Sequence, residues 1–291
     1  MASNPVFDRI EKESRQGYAG FGRSGAPAQQ PTAGMASTDG MTSQQLQDLY
    51  NQPSAGPVQT RRLTIDDVVM KTAGLFAIVL VLGAVGWAAI ERAPDVGMVL
   101  LLGGIAVTLV LGLVIAFKKT ISVPLIVLYA VAEGLFVGAV SRVYADAFPL
   151  RDNETMFQGI VPQAVMATLC VFAGMLIAYK TGIIKVTAKF RRIVTMAVIG
   201  YAIFALVNLL YAVIGNHAFG IGGTGALGIG ISLFAIGLAS AMLAVDFDSI
   251  DRAIAAGAPE KYSWLLAHGL IVTIVWLYLE ILRLLGRLRS N

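Results

Sequence analysis

Long runs of apolar residues with almost no charge begin after Lys71 and recur to the end of the chain. A helix needs about 20 apolar residues to cross the hydrocarbon core of a bilayer. Inside lipid every backbone polar group must find its partner within the protein, which makes such runs helical. The sequence therefore predicts seven membrane-spanning helices, at residues 72–90, 96–117, 120–141, 157–179, 193–215, 223–245 and 263–287.

The composition supports a membrane protein and excludes several other classes. Of the 291 residues, 56% are hydrophobic and 14% are charged, whereas soluble domains carry about a quarter of charged residues. The net charge of +4 is small, so a basic face that binds nucleic acid is not expected. The single cysteine, Cys170, excludes an intrachain disulfide and a zinc site built from cysteines.

Residues 1–62 are rich in Gly, Ser, Gln, Pro and Ala. Such a segment cannot bury enough apolar area to offset the entropy lost on ordering. We interpret 1–62 as a disordered cytoplasmic tail and 63–291 as a transmembrane domain of class all-α. The tail contains no apolar segment typical of a signal peptide, so the first span is expected to act as both targeting signal and anchor.

The basic residues favour one orientation. If the N-terminus is cytoplasmic, the cytoplasmic connections hold twice as many Lys and Arg residues as the opposite ones, and the positive-inside rule then predicts a cytoplasmic N-terminus in the cell inner (plasma) membrane. The cytoplasmic set is Arg61, Arg62, Lys71, Lys118, Lys119, Lys180, Lys185, Lys189, Arg191, Arg192, Arg252 and Lys261. Because the C-terminus is also basic, a last segment that enters the membrane only partway and returns is an alternative.

Three acidic residues lie in or at the end of the apolar runs: Glu133, Asp246 and Glu280. A charged side chain at mid-membrane costs roughly 2.5–3.5 kcal/mol on insertion scales, so each of them calls for a reason. Glu133 is interpreted as a proton or cation ligand, or as a helix–helix hydrogen bond. For Glu280, an ion pair with Arg283 on the same helix is the structural alternative to a functional role.

Asp246 opens a short acidic cluster that also contains Asp248 and Asp251. The simplest interpretation of Asp248 and Asp251 is that they are acids at a helix end that meets the membrane interface. Asp246 lies closest to lipid and is the stronger functional candidate, and Asp248 is retained as a candidate for the ion path.

Three segments resemble the Bax inhibitor family, and more narrowly its bacterial YccA-type branch: Ala132-Glu133-Gly134-Leu135, Asp246-Phe247-Asp248-Ser249-Ile250 and Leu277-Tyr278-Leu279-Glu280-Ile281-Leu282. The resemblance covers about residues 65–287. It implies six helices wrapped around a central seventh and, in some members, a pH-sensitive calcium leak.

The resemblance also implies a sensor made of two acids, from the sixth and seventh helices. By position in the motifs the pair falls on Asp246 and Glu280. A basic residue that takes part in closure falls near Lys118 or Lys119, and Arg283 is a further candidate for gating. No bound cofactor is expected, apart from Ca²⁺ as a transported or regulatory ion held by Asp246 and Glu280.

The expected mechanism is a proton shared by Asp246 and Glu280 in a partly dry cavity, since like charges there do not both ionise easily. Loss of the proton would separate the last two helices and open a cation path. The two acids can meet only if residues 249–268 stay cytoplasmic. This predicts a break near Gly257-Ala258-Pro259 and a last helix that starts around Gly269.

Two other functions compete with a leak. The first is a non-transporting regulator that binds a membrane partner, such as a quality-control protease, through residues 1–62. The second is an intramembrane aspartyl protease, which would need a Tyr-Asp and a Gly-x-Gly-Asp motif. Val245 precedes Asp246, and the glycine-rich stretch at 220–230 has no aspartate. No enzymatic activity is therefore expected.

Overall fold

The computed structural model describes residues 61–150, 155–215 and 219–290. These ranges hold seven helices that are long and apolar enough to cross a membrane. They are α1 Ile65–Arg92, α2 Gly97–Phe117, α3 Val123–Ala147, α4 Ile160–Lys180, α5 Ala188–Gly215, α6 Ala226–Ala255 and α7 Tyr262–Arg289. The prediction of an all-α membrane bundle is confirmed, while the tail at residues 1–60 lies outside the described residues.

Helix α1 begins earlier than the apolar run suggests, because a capping box fixes its start. Thr64 Oγ1 accepts a hydrogen bond from the backbone N–H of Asp67 at 3.3 Å, and Asp67 Oδ2 accepts one from the N–H of Thr64 at 3.0 Å. The two side chains satisfy backbone donors that the first turn of a helix leaves without partners.

The prediction that the last helix starts around Gly269 is wrong. Helix α6 continues to Ala255, and α7 starts at Tyr262 and is continuous to Arg289, so the last segment is not re-entrant either. The break near Gly257-Ala258-Pro259 is where the sequence predicted it. Gly257 has a φ of +66°, a conformation that glycine adopts without strain, and it ends α6 in a short turn.

The prediction of a central last helix is confirmed. Within an apolar stretch of 18 residues of α7, 67% of the residues are buried, against 44% in the corresponding stretch of α6 and 6% in that of α2. Helix α7 contacts α1, α3, α4 and α6, which surround it. Its side chains therefore provide the interior surface on which any internal site must be built.

The bundle has two ends, which we call the near face and the far face. At the near face the start of α1 lies beside the α6–α7 turn, where the N–H of Leu63 donates to Ala258 O at 2.8 Å. At the far face the end of α7 meets the start of α4. There Arg289 donates to Gln158 O at 2.5 Å and to Gln163 Oε1 at 3.1 Å.

The helices pack with unequal closeness. A side chain added at Gly138 of α3 would come within 1.9 Å of Gly83 O of α1, and one at Gly86 would come within 2.4 Å of Leu135 O. Small residues of this kind let membrane helices approach each other closely. Gly200 of α5, in contrast, has no atom within 4 Å of the place a side chain would start.

Candidate functional site

The side of α7 that faces α5 and α6 carries polar residues at intervals of seven. Thr273, Glu280 and Arg287 form this polar stripe. Seven residues bring an α-helix back to nearly the same face, with a drift of about 20°. The stripe therefore runs along one side of the central helix, from the middle of the bundle to the far face.

Glu280 is the most tightly held acid of the stripe. Its side chain is 3% exposed. Glu280 Oε1 accepts a hydrogen bond from Tyr201 Oη at 2.6 Å and one from Arg283 Nη1 at 2.8 Å. We call Tyr201, Glu280 and Arg283 the latch, because the bond from Tyr201 joins α5 to α7.

Tyr201 reaches Glu280 from α5, a helix that packs mainly against α6. Its ring stacks on Trp276 of α7, with ring centroids 5.6 Å apart. A cavity of about 350 Å³ lies beside it between α5 and α6, lined by Ala197, Gly200, Tyr201, Phe204, Ile231 and Phe234. The hydrogen bond and the ring stacking thus join α5 to the central helix.

Asp246 has a different partner on the same stripe. Thr273 Oγ1 donates to Asp246 Oδ2 at 2.6 Å and is also 3.2 Å from Gly269 O. No ion pair to Asp246 occurs among the residues that the structure describes. Asp246 is therefore a carboxyl held by a neutral hydroxyl.

The structure brings Asp246 and Glu280 to the same side of α7, where each carboxyl has its own partners. Glu280 lies seven residues beyond Thr273, the residue that binds Asp246, which is a rise of about 10 Å along the helix at 1.5 Å per residue. Among the described residues, no hydrogen bond joins the two carboxyls. The shared proton and a Ca²⁺ held by both acids stay predictions.

Asp248 belongs to an ion cluster at the near face. Asp248 Oδ2 lies 3.2 Å from Arg191 Nη2 of α5 and also pairs with Arg252, one turn further along α6. The role of Asp248 in an ion path stays a prediction, and its contacts are those of a link between α5 and α6.

Glu133 lies on the other side of α7, in α3. Glu133 Oε1 accepts a hydrogen bond from Tyr129 Oη at 2.9 Å, and the side chain is 4% exposed. The ring of Tyr129 meets His268 of α7 edge-on, with centroids 4.4 Å apart. This hydrogen bond lies within one helix, so the helix–helix bond considered for Glu133 is not the one observed.

The three basic candidates separate into two groups. Lys118 and Lys119 are exposed in the α2–α3 connection, and Lys118 lines a small cavity with Leu265 near the start of α7. Glu280 lies 18 residues beyond Tyr262, about 27 Å along α7, so neither lysine reaches it. Arg283 does reach Glu280, through the same-helix ion pair that we considered above as the structural alternative.

The sequence interpretation missed three residues of this site. Tyr201 lies in an apolar run, where an aromatic residue is normally interpreted as a packing residue. Thr273 is a type of polar residue that is common in membrane helices. Arg287 was counted only as a basic residue of the C-terminus. The interval of seven from Thr273 through Glu280 to Arg287 is the signal that could have revealed the stripe.

Two further cavities, of about 240 and 370 Å³, lie between α1 and α4. Both are lined almost entirely by apolar side chains, and they share Phe76, Leu169 and Ile274. They open on a different side of α7 from the stripe. Within the described ranges, no three His, Cys, Asp or Glu residues are grouped in a way that could hold a metal ion.

A comparison with known families gives one match. The family model described as Bax inhibitor 1 like matches residues 4–290. The match extends over the N-terminal tail, which the sequence resemblance at about 65–287 left out. Neither a curated protein nor a solved structure matches the chain.

Proposed function

Because this chain belongs to the Bax inhibitor 1-like family and has seven membrane-spanning helices, we propose that it is a pH-sensitive cation leak that carries Ca²⁺. The path runs along the polar stripe of α7, between that helix and α5 and α6. The latch of Tyr201, Glu280 and Arg283 keeps the path closed.

The observation that supports this proposal best is the position of the latch. A buried carboxylate with a cationic partner is costly to disrupt, because removal of either member leaves an uncompensated charge. In this bundle such a pair also accepts the bond that ties the loosely packed α5 to the central helix. The chemical state of Glu280 is thereby coupled to the position of a whole helix.

The path itself is lined by oxygen atoms on the near-face side of the latch. Asp246 and Thr273 bring a carboxyl and a hydroxyl within 2.6 Å of each other, and Ca²⁺ prefers such oxygen ligands. Asp246 attracts cations into the path, whereas Glu280 closes it. The two acids therefore have separate roles, in place of the common proton expected from the sequence.

The latch depends on the negative charge of Glu280. The carboxylate pairs with Arg283, and a neutral side chain at position 280 would lose this ion pair. A loss of the charge would therefore weaken the attachment of α5 to the central helix.

The test is a flux measurement on protein reconstituted in liposomes that contain a Ca²⁺ indicator, at acidic, neutral and alkaline pH. We expect Asp246→Asn to reduce the flux and Glu280→Gln to increase it. The control is Asp146→Asn, since Asp146 is an exposed acid at the end of α3 that pairs with Arg142 away from the stripe.

Two outcomes would count against the proposal. If both Asp246→Asn and Glu280→Gln behave as the Asp146→Asn control does, the stripe has no part in permeation. If the unaltered protein passes no more Ca²⁺ than empty liposomes, the chain is not a leak. A non-transporting regulator of a membrane partner would then be the better account.

A further inference from the structure

Arg287 is a buried arginine that the latch does not use. It lies in the last turn of α7, seven residues beyond Glu280, and is 1% exposed. Its guanidinium stays charged at every physiological pH. A buried charge is normally paired with an opposite charge, yet Arg287 forms no ion pair among the described residues.

Neutral oxygen atoms surround the guanidinium instead. Arg287 Nη1 donates to Ser232 Oγ at 2.7 Å and to Gly228 O, both in the first turns of α6. Arg287 Nη2 donates to Phe219 O at 3.1 Å, in the α5–α6 connection. We call these three acceptors the oxygen cage, and together they stabilise a cation without neutralising it.

The local sequence shapes this cage. Gly228 has no room for a side chain, since one would come within 2.2 Å of Gly223 O. Asn208 of α5 holds the connection by accepting from the N–H of Ile221 at 2.6 Å. The described part of the connection, residues 219–225, therefore lies against the start of α6, and Phe219 O accepts a hydrogen bond from Arg287.

Carbonyl and hydroxyl oxygens of this kind are also the ligands that replace water around a permeating cation. Resting on the leak proposed above, we propose that the oxygen cage is a cation site at the far end of the path, and that the guanidinium of Arg287 occupies it as a tethered blocking ion. The fixed positive charge both fills the site and repels mobile cations.

The test is cation flux through Arg287→Ala in liposomes, with and without free guanidinium. We expect the flux to rise about tenfold, as for a pore that loses a charged barrier, and guanidinium in the buffer to lower it again. Arg289→Ala is the matched control, because Arg289 lies two residues on and binds Gln158 and Gln163 rather than the cage.

Two results would overturn the proposal: an unchanged flux in a folded, monodisperse Arg287→Ala protein, or a raised flux that guanidinium leaves as it is. If Arg287→Ala does not fold, Arg287→Gln and Arg287→Lys replace it. We then expect Gln, which is neutral, to raise the flux and Lys, which is charged, to keep it low. Equal flux in the two variants would refute the blocking role.

The same liposomes separate this proposal from the latch. If Glu280→Gln changes nothing while Arg287→Ala conducts and guanidinium blocks it, the latch fails and the tethered ion stands. If Glu280→Gln opens the path and Arg287→Ala behaves like the unaltered protein, the reverse holds. If no variant conducts, both are refuted.

Discussion

The two flanks of the central helix contain the same chemistry in different mechanical settings. On the α3 side, Tyr129 donates to the buried Glu133 at 2.9 Å, and both residues belong to one helix. On the α5 side, Tyr201 donates to the buried Glu280 at 2.6 Å, and the two residues belong to different helices. Of these two hydrogen bonds, only the second joins the carboxyl to another helix.

The helices of the two flanks also differ in how closely they approach each other. Helices α1 and α3 touch through backbone at Gly83 and Gly138, which leaves no freedom to move apart without loss of contact. Helices α5 and α6 leave an open groove of about 350 Å³ between them, and Gly200 lies exposed beside it. In the leak proposed above, the buried acid that acts as a switch is the one next to this groove.

The largest expected effect is a loss of stability where α1 and α3 pack most closely. Gly138→Ala places a methyl group against the backbone of α1, and overpacking of this kind typically costs about 1–3 kcal/mol. Gly200→Ala meets no atom, and alanine favours a helix over glycine by about 0.5–1 kcal/mol. Thermal unfolding in detergent should show a clear loss for the first variant and no loss for the second. Equal unfolding temperatures would mean that the two flanks are packed alike.

The next effect concerns the two buried glutamates. A hydrogen bond to a charged group contributes about 1.5–3 kcal/mol, and each 1.4 kcal/mol is a tenfold change in an equilibrium. Glu280→Gln should therefore raise Ca²⁺ flux by about tenfold or more, whereas Glu133→Gln should leave it within about twofold. A similar rise in both variants would show that both acids control the path.

A smaller effect is expected from the tyrosines. Tyr201→Phe keeps the ring stacking on Trp276 and removes one hydrogen bond to Glu280, while the ion pair with Arg283 remains. We expect a rise in flux that stays below that of Glu280→Gln, because one hydrogen bond is lost and the ion pair is kept, and no rise for Tyr129→Phe. The paired liposome measurement would contradict the latch if Tyr129→Phe had the greater effect.

The smallest effect belongs to a bond on the tightly packed flank. Ser141 Oγ and Tyr278 Oη lie 2.6 Å apart and join α3 to α7. Ser141→Ala should lower the stability by about 0.5–1.5 kcal/mol and leave the flux as it was. A flux change in this variant would extend the gating element beyond α5.

Much of the fold could be predicted from the sequence, because membrane insertion depends on local apolar length. The main error concerned the start of the last helix, which lies at Tyr262 and not around Gly269. The acids at 246–251 also look like the end of a helix, yet α6 continues to Ala255, and Asp248 pairs there with Arg191 and Arg252. The partner of Asp248 on α5 is distant in sequence, so no local pattern reveals it.

The candidate site was predictable only in part. The ion pair of Glu280 with Arg283 follows from a spacing of three residues on one helix. The bonds from Tyr201 to Glu280 and from Thr273 to Asp246 join different helices, and they depend on how those helices rotate about their own axes. Helix rotation is set by packing over the whole bundle, which the spacing within one helix does not encode.

The central claim, that Glu280 holds α5 against the bundle, is tested most directly by a distance. Spin labels at Leu80→Cys on α1 and Ile203→Cys on α5, both exposed, would report the distance between these helices in a Cys170→Ala background. Labels at Leu80→Cys and Val143→Cys on α1 and α3 provide the control. We predict that Glu280→Gln lengthens or broadens the α1–α5 distance and leaves the α1–α3 distance as it is. An unchanged α1–α5 distance distribution would contradict the account.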